Sequence, residues 1–180
     1  MLAYPPPMPD QALELSFDAA SASAVEAQWT ALQAAGVPSQ ADHRSMTNAP
    51  HLTIVAAVDI AADVVAAARD EMARLLPARI EVRGLVMFGQ GPRLTIAHLV
   101  EPDRALAEIV ERIRTRVPAR RHPVWTPHVT LARRVPRRLL PVALEALASV
   151  PAPDVLVGDR LRWWDPGPGT IEDIASVPAG

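Results

Sequence analysis

Apolar positions recur along the chain at two alternating periods, and the switches between them divide it into strands and helices. Leu13, Leu15 and Phe17 alternate with polar or small residues, the period of a half-buried strand. Val25, Trp29 and Leu32 then fall at helical spacing, with Ser21 or Ser23 as the expected N-cap and Gly36 and Pro38 as the stop. A polar loop over 39–49 leads to a strand over 51–58, opened by Pro50 where no ladder hydrogen bond is lost. The next segment, 59–76, is helical, with Val64, Ala68, Met72 and Leu75 as its stripe. Strands are expected over 80–88 and 94–100, joined by a turn holding Gly89, Gly91 and Pro92. The remainder predicts a helix over 103–116, a strand over 126–132, a helix over 137–149, and strands over 155–164 and 170–177. Proline-rich residues 4–9 read as an extended lead-in.

These elements repeat. PHLTI at 50–54 recurs as PHVTL at 127–131, an offset of 77, and the helix over 59–76 moved by 77 lands on the helix of the second half. FGQGP at 88–92 matches WDPGP at 164–168 with an offset of 76. Each half reads β-α-β-α-β-β, with the 94–100 strand shared between them. The pattern predicts an α+β fold of two pseudo-symmetric lobes, their antiparallel sheets facing a central cleft and the helices outside. A single domain over 1–180 is expected, its first repeat about 13–100 and its second about 94–177.

The repeated segment carries the candidate chemistry. On a strand, residues i and i+2 share a face, so His51 and Thr53 project together about 6.5–7 Å apart, and His128 and Thr130 likewise. Leu52, Ile54, Val129 and Leu131 point the other way, toward the helices. Two such strands facing one cleft supply two imidazoles and two hydroxyl donors. That set suits a phosphodiester. A neutral histidine takes a proton from the attacking oxygen, a protonated one gives a proton to the leaving oxygen, and the hydroxyls bond the non-bridging oxygens. A reference pKa of about 6.5 lets both forms coexist near neutrality.

Composition narrows the partners. All 18 basic residues are arginine, the net charge is −2, and there is no cysteine. The charge argues against tight, sequence-independent binding of long nucleic acid. The lack of cysteine excludes disulfides, thiol nucleophiles and cysteine-ligated metals. Nine arginines and no acidic residue lie over 112–138, which reads either as a solvated basic face or as a phosphate-attracting rim. No secretory signal or membrane-spanning run is evident, so a cytoplasmic location is expected.

Two His-apolar-Thr-apolar motifs in duplicated α+β halves resemble the 2H phosphoesterase superfamily, nearest its 2′-5′ RNA ligase and RNA 2′,3′-cyclic phosphodiesterase branch. The resemblance covers roughly 13–177. It implies that His51 and His128 are the acid–base pair and that Thr53 and Thr130 bind the substrate phosphate. The implied partner is the cyclic phosphate of an RNA end or a nucleotide, with reverse 2′-5′ ligation as a further activity; no cofactor, metal, membrane or protein partner is implied. Two rival readings keep the fold but change the role: a phosphodiesterase of a small non-RNA cyclic phosphate, and a non-catalytic RNA- or nucleotide-binding protein.

Other residues are weighed against structural roles. A zinc site lacks a third ligand beside the two histidines. His98 alternates with Ile96 and Val100 and reads as a core or sheet-edge residue. His43 and His122 read as exposed loop residues, the first on a loop able to reach over the cleft. Arg133 and Arg134 follow the second motif and are candidates for a phosphate-contacting rim, although strict alternation puts Arg133 with Leu131, away from His128. Trp29 is expected in the core, and Phe88, Trp125 and Trp164 are either packing residues or stacking platforms for a base.

Overall fold

The computed structural model of the chain describes residues 10–43 and 48–177. Its elements, in chain order, are β1 (Gln11–Phe17), α1 (Ala19–Ala34), β2 (His51–Ala57), α2 (Ala62–Leu75), β3 (Ala78–Phe88), β4 (Arg93–Pro102), α3 (Arg104–Thr115), β5 (His128–Pro136), α4 (Leu140–Ala148), β6 (Val155–Asp165) and β7 (Thr170–Ser176). The order is the one expected. The lead-in over 4–9 lies outside the described residues, as do 44–47 of the polar loop; Gln40–Asp42 of that loop forms a 3₁₀ turn closed by a Ser39–Asp42 capping box.

The N-cap of α1 is Asp18, not the expected Ser21 or Ser23, and its carboxylate accepts from the Ser21 N–H at 2.8 Å. Ser21 is buried, and its hydroxyl accepts from the Val157 N–H at 2.9 Å, tying the helix to β6. Asp103 caps α3 in the same manner as Asp18 caps α1. No helix among the described residues is long and apolar enough to cross a membrane.

The α+β class and the antiparallel pairing are as expected, but the strands do not separate into two sheets. Hydrogen bonds join both halves into one seven-stranded antiparallel sheet of order β1-β2-β5-β4-β3-β6-β7, with β1 also paired to β6. The β1–β6 pairing closes the order into a ring, and the halves also meet at β2–β5 and β3–β6. Positions matched by the repeat meet there: Ile80 pairs with Leu156, and Leu52 with Val129. The buried strand residues Leu13, Leu15, Leu52, Ile54, Ile96, Val129 and Leu131 join Val25, Trp29, Leu32, Ala68, Met72, Leu106, Val110 and Ile113 of the helices in one core. Burial of such side chains contributes roughly 1.5–3 kcal/mol each, and it fixes the phase of every strand: apolar residues inward, motif residues outward.

Each motif strand breaks its alternation at the same place. On β2, Leu13 pairs with Val55 and Glu14 with Thr53, leaving Ile54 over; on β5, Ala97 pairs with Thr130 and Ile96 with Ala132, leaving Leu131 over. These are matching β-bulges, one extra residue each, and they let two successive residues (Ile54 and Val55, Leu131 and Ala132) enter the core. A bulge disturbs the local ladder, and here tryptophan side chains meet the carbonyls beside it. The Trp29 indole N–H donates to the Thr130 carbonyl at 3.0 Å, and the Trp125 indole N–H to the Thr53 carbonyl at 3.0 Å. Trp29 is thus a core residue, and Trp125 is committed to the backbone of the first motif.

Trp29→Phe keeps the apolar bulk and removes that donor. A buried acceptor left unpaired costs about 1–3 kcal/mol, so urea denaturation of this variant is expected to show a loss of that size. An unchanged midpoint would mean that the indole bond does not hold the bulge.

Candidate active site

Leu52 and Val129 are the one residue pair that joins β2 to β5. That pairing sets the two motifs side by side on neighbouring antiparallel strands, each with its histidine and threonine flanking the paired residue. All four residues are half-buried, on the face away from the core. The four motif residues identified in the sequence are brought together.

Both rings are held in the same way. His51 Nδ1 lies 2.8 Å from the Ala49 carbonyl and His128 Nδ1 lies 2.7 Å from the Thr126 carbonyl, each two residues upstream. A carbonyl can only accept, so each Nδ1 carries a proton and each Nε2 is the exchangeable nitrogen.

The surroundings of the two rings differ. His128 packs against Phe88, ring centroids 4.7 Å apart and tilted by 56°. Burial pushes its pKa below the ordinary imidazole value, the bond to Thr126 opposes this, and the charges of His51 and His122 lower it further. His51 instead lines an open cleft of about 290 Å³. Its Nε2 is 3.4 Å from Glu14 Oε1, and Glu14 Oε2 accepts from Arg162 Nε at 3.1 Å and forms an ion pair with Nη2 at 3.0 Å. Arg162 and Glu14 are both largely shielded from solvent, with side chains 8% and 12% exposed.

Arg133 lines the same cleft as His51. Strict alternation along β5 had set it on the core side; the bulge at Leu131 shifts the phase by one residue and returns it to the face of His128 and Thr130. Arg134 does not line the cleft. It is exposed, at a second register shift of β5, with φ of 57°, a left-handed conformation that costs a non-glycine residue roughly 1 kcal/mol. The rest of the basic run is mostly structural. Arg112 pairs with Glu71, Arg116 with Asp63 and Arg121 with Asp10. Arg114 is buried and donates to the carbonyls of Ile54 and His122. Only Arg133 of that run lines this cleft.

Trp164, the repeat counterpart of Phe88, is half-buried in the cleft wall near His51, with His43 and Asn48 at the loop edge. His98 is a core residue, its Nε2 2.6 Å from Gln28 Oε1, and burial holds its pKa down. His122 is exposed. Sequence reasoning missed Glu14 and Arg162. The available signal was a charged residue set between Leu13 and Leu15 in an otherwise apolar strand, but its pairing partner lies 148 residues away.

Comparison with known proteins agrees with this architecture. No curated protein matches the sequence. Among solved structures, Kluyveromyces marxianus Usb1 superimposes with a TM-score of 0.59 at 14% identity, covering 95% of this chain and 100% of that one. A structure described as a phosphoesterase gives 0.51 at 14% identity, covering 94% and 96%. Escherichia coli LigT in its apo form gives 0.50 at 14% identity, covering 91% and 92%. At such identities these likenesses speak for the fold. The sequence itself matches the family model of the 2′-5′ RNA ligase superfamily over residues 21–174. The chain, with its duplicated His-apolar-Thr motif, belongs to the 2′-5′ RNA ligase superfamily of 2H phosphoesterases.

Proposed function

We propose that this protein is a phosphodiesterase that opens a 2′,3′-cyclic phosphate, at an RNA end or on a nucleotide, by two-histidine acid–base catalysis without a metal. The observation that supports this reading is the matched anchoring of the two rings: each Nδ1 is committed to a carbonyl two residues back, which leaves Nε2 as the exchangeable nitrogen of each motif.

In this reading a water oxygen attacks phosphorus while His128 Nε2 takes its proton. The bond from phosphorus to one ribose oxygen breaks, and His51 Nε2–H protonates that oxygen. The product is a phosphomonoester; His51 ends neutral and His128 charged, and proton exchange with solvent restores both. Thr53 and Thr130 bond the non-bridging oxygens, where negative charge grows, and Arg133 adds a cation on the same face. Run backward with a ribose hydroxyl in place of water, the same steps join RNA ends. Support for a nucleotide ligand also comes from the Kluyveromyces marxianus Usb1 structure with uridine monophosphate, which matches at a TM-score of 0.53.

The test is hydrolysis of nucleoside 2′,3′-cyclic phosphates with chelator present. Wild-type protein is expected to turn over, and His51→Ala and His128→Ala each to lose about 10²–10⁴-fold. Turnover that survives either substitution would sink the mechanism. Activity confined to a small non-RNA cyclic phosphate would move the substrate, and micromolar nucleotide binding with no turnover would make the protein a binding module.

The burial of His128 sets the pH dependence. The base must be neutral, and its neutral fraction falls only as pH drops through a pKa held below about 6.5. The acidic limb of kcat/KM is therefore expected below pH 6.5; a limb above that value contradicts His128 as the base. Arg133→Ala, by contrast, is expected to lower kcat/KM about 10–100-fold with that limb unmoved, as the loss of one phosphate contact.

A further inference from the structure

The repeat lets the two half-sites be compared position by position, and one difference has no structural purpose. In the second half-site Thr130 pairs with Ala97, which pairs in turn with Val86. In the first, the matching places hold Glu14 beside Thr53 and Arg162 beside Glu14. An apolar pair on one side is thus a shielded ion pair on the other. Desolvating two charges offsets most of their attraction, so such a pair adds little stability over apolar residues. The second half-site folds with alanine and valine at these positions. The fold does not require the charges.

Their geometry is directed at His51. Glu14 Oε1 is 3.4 Å from Nε2, and Arg162 Nη2 is 3.3 Å from Nδ1. Because the Nδ1 proton is committed to Ala49, the arginine cannot donate to that nitrogen and acts there as a bare positive charge. The charged or titratable groups around the ring are Glu14 on β1, Arg162 on β6, Arg133 and His128 on β5, and His43 on the loop. Asp173, opposite Arg162 on β7, turns to Arg160 at 3.6 Å. Glu14 is the one anion among the described residues that line the cleft. At 3.4 Å its carboxylate supports a charged ring without the short, in-line bond that would capture the Nε2 proton.

We propose that Glu14, restrained by Arg162, is a positioning residue that keeps the charged, proton-bearing ring of His51 in place for the donor role given to it above. This rests on the two-histidine reading.

Two near-isosteric substitutions test this with opposite signs. Glu14→Gln leaves Arg162 uncompensated beside the ring, whereas Arg162→Gln leaves the carboxylate and keeps an amide donor for it. The full chain, labelled with ¹⁵N-histidine, is read by its ring nitrogen shifts at fixed neutral pH without substrate. The imidazolium fraction of His51 is expected to fall in E14Q and rise in R162Q, with His128 little changed. In turnover, the alkaline limb of kcat is expected about one pH unit or more lower in E14Q and higher in R162Q. A pair with only a structural role would leave the His51 fraction unaltered in both, or shift both alike, and either result overturns the proposal. Should E14Q fail to fold, the presence or absence of the rise in R162Q decides it. The nitrogen shifts need no substrate, so an inactive wild-type protein would count against the cyclic phosphate reaction and not against this role of Glu14.

Discussion

The site depends on one contact, the antiparallel pairing of Leu52 with Val129. These two residues are fully buried or nearly so, and the period of a strand then sends their neighbours to the other face. Were the register to slip by one residue, His51, Thr53, His128 and Thr130 would enter the core together and the apolar residues would face solvent. Core packing therefore pins the placement of the four motif residues. The leucines and valines under the helices hold two histidines and two threonines outward as a group.

Around that contact the twin bulges do the local shaping. Each inserts one residue after the motif threonine, and with Arg133 on β5 the phase shift puts a cation on the histidine face. The tryptophans that bond the Thr53 and Thr130 carbonyls come from unrelated places in the repeat, α1 and the segment before β5. Sequence duplication thus supplied the bulges twice, while the indoles that hold them were found separately. The same independence appears in the cleft walls, where one half kept alanine and valine and the other holds Glu14 and Arg162.

Much of this was legible in the sequence, for physical reasons that differ by element. The motif strands and α2 were readable because burial imposes a period, and the repeat added a second, independent copy of each reading. The α1 N-cap was misread because Ser21 and Asp18 are both good caps; the choice was made by β6, whose Val157 N–H takes the Ser21 hydroxyl as its acceptor. Arg133 was misplaced because a bulge leaves no mark on alternation until the partner strand is known. Glu14 and Arg162 could not be read at all, since each is an ordinary strand residue until β1 and β6 meet. The joining of the halves through β3, β1 and β6 was invisible for the same reason: pairing across the halves has no local signature.

In the proposed reaction a cyclic phosphate is opened by water on one side and released by a single proton donor on the other. The direct measurement is ³¹P NMR of a nucleoside 2′,3′-cyclic phosphate converted by the protein in ¹⁸O-labelled water. One regioisomer of the phosphomonoester is expected, carrying one ¹⁸O on its phosphate. A mixture of 2′- and 3′-phosphates, or a product without the label, would contradict a site in which His51 gives the proton and His128 takes it.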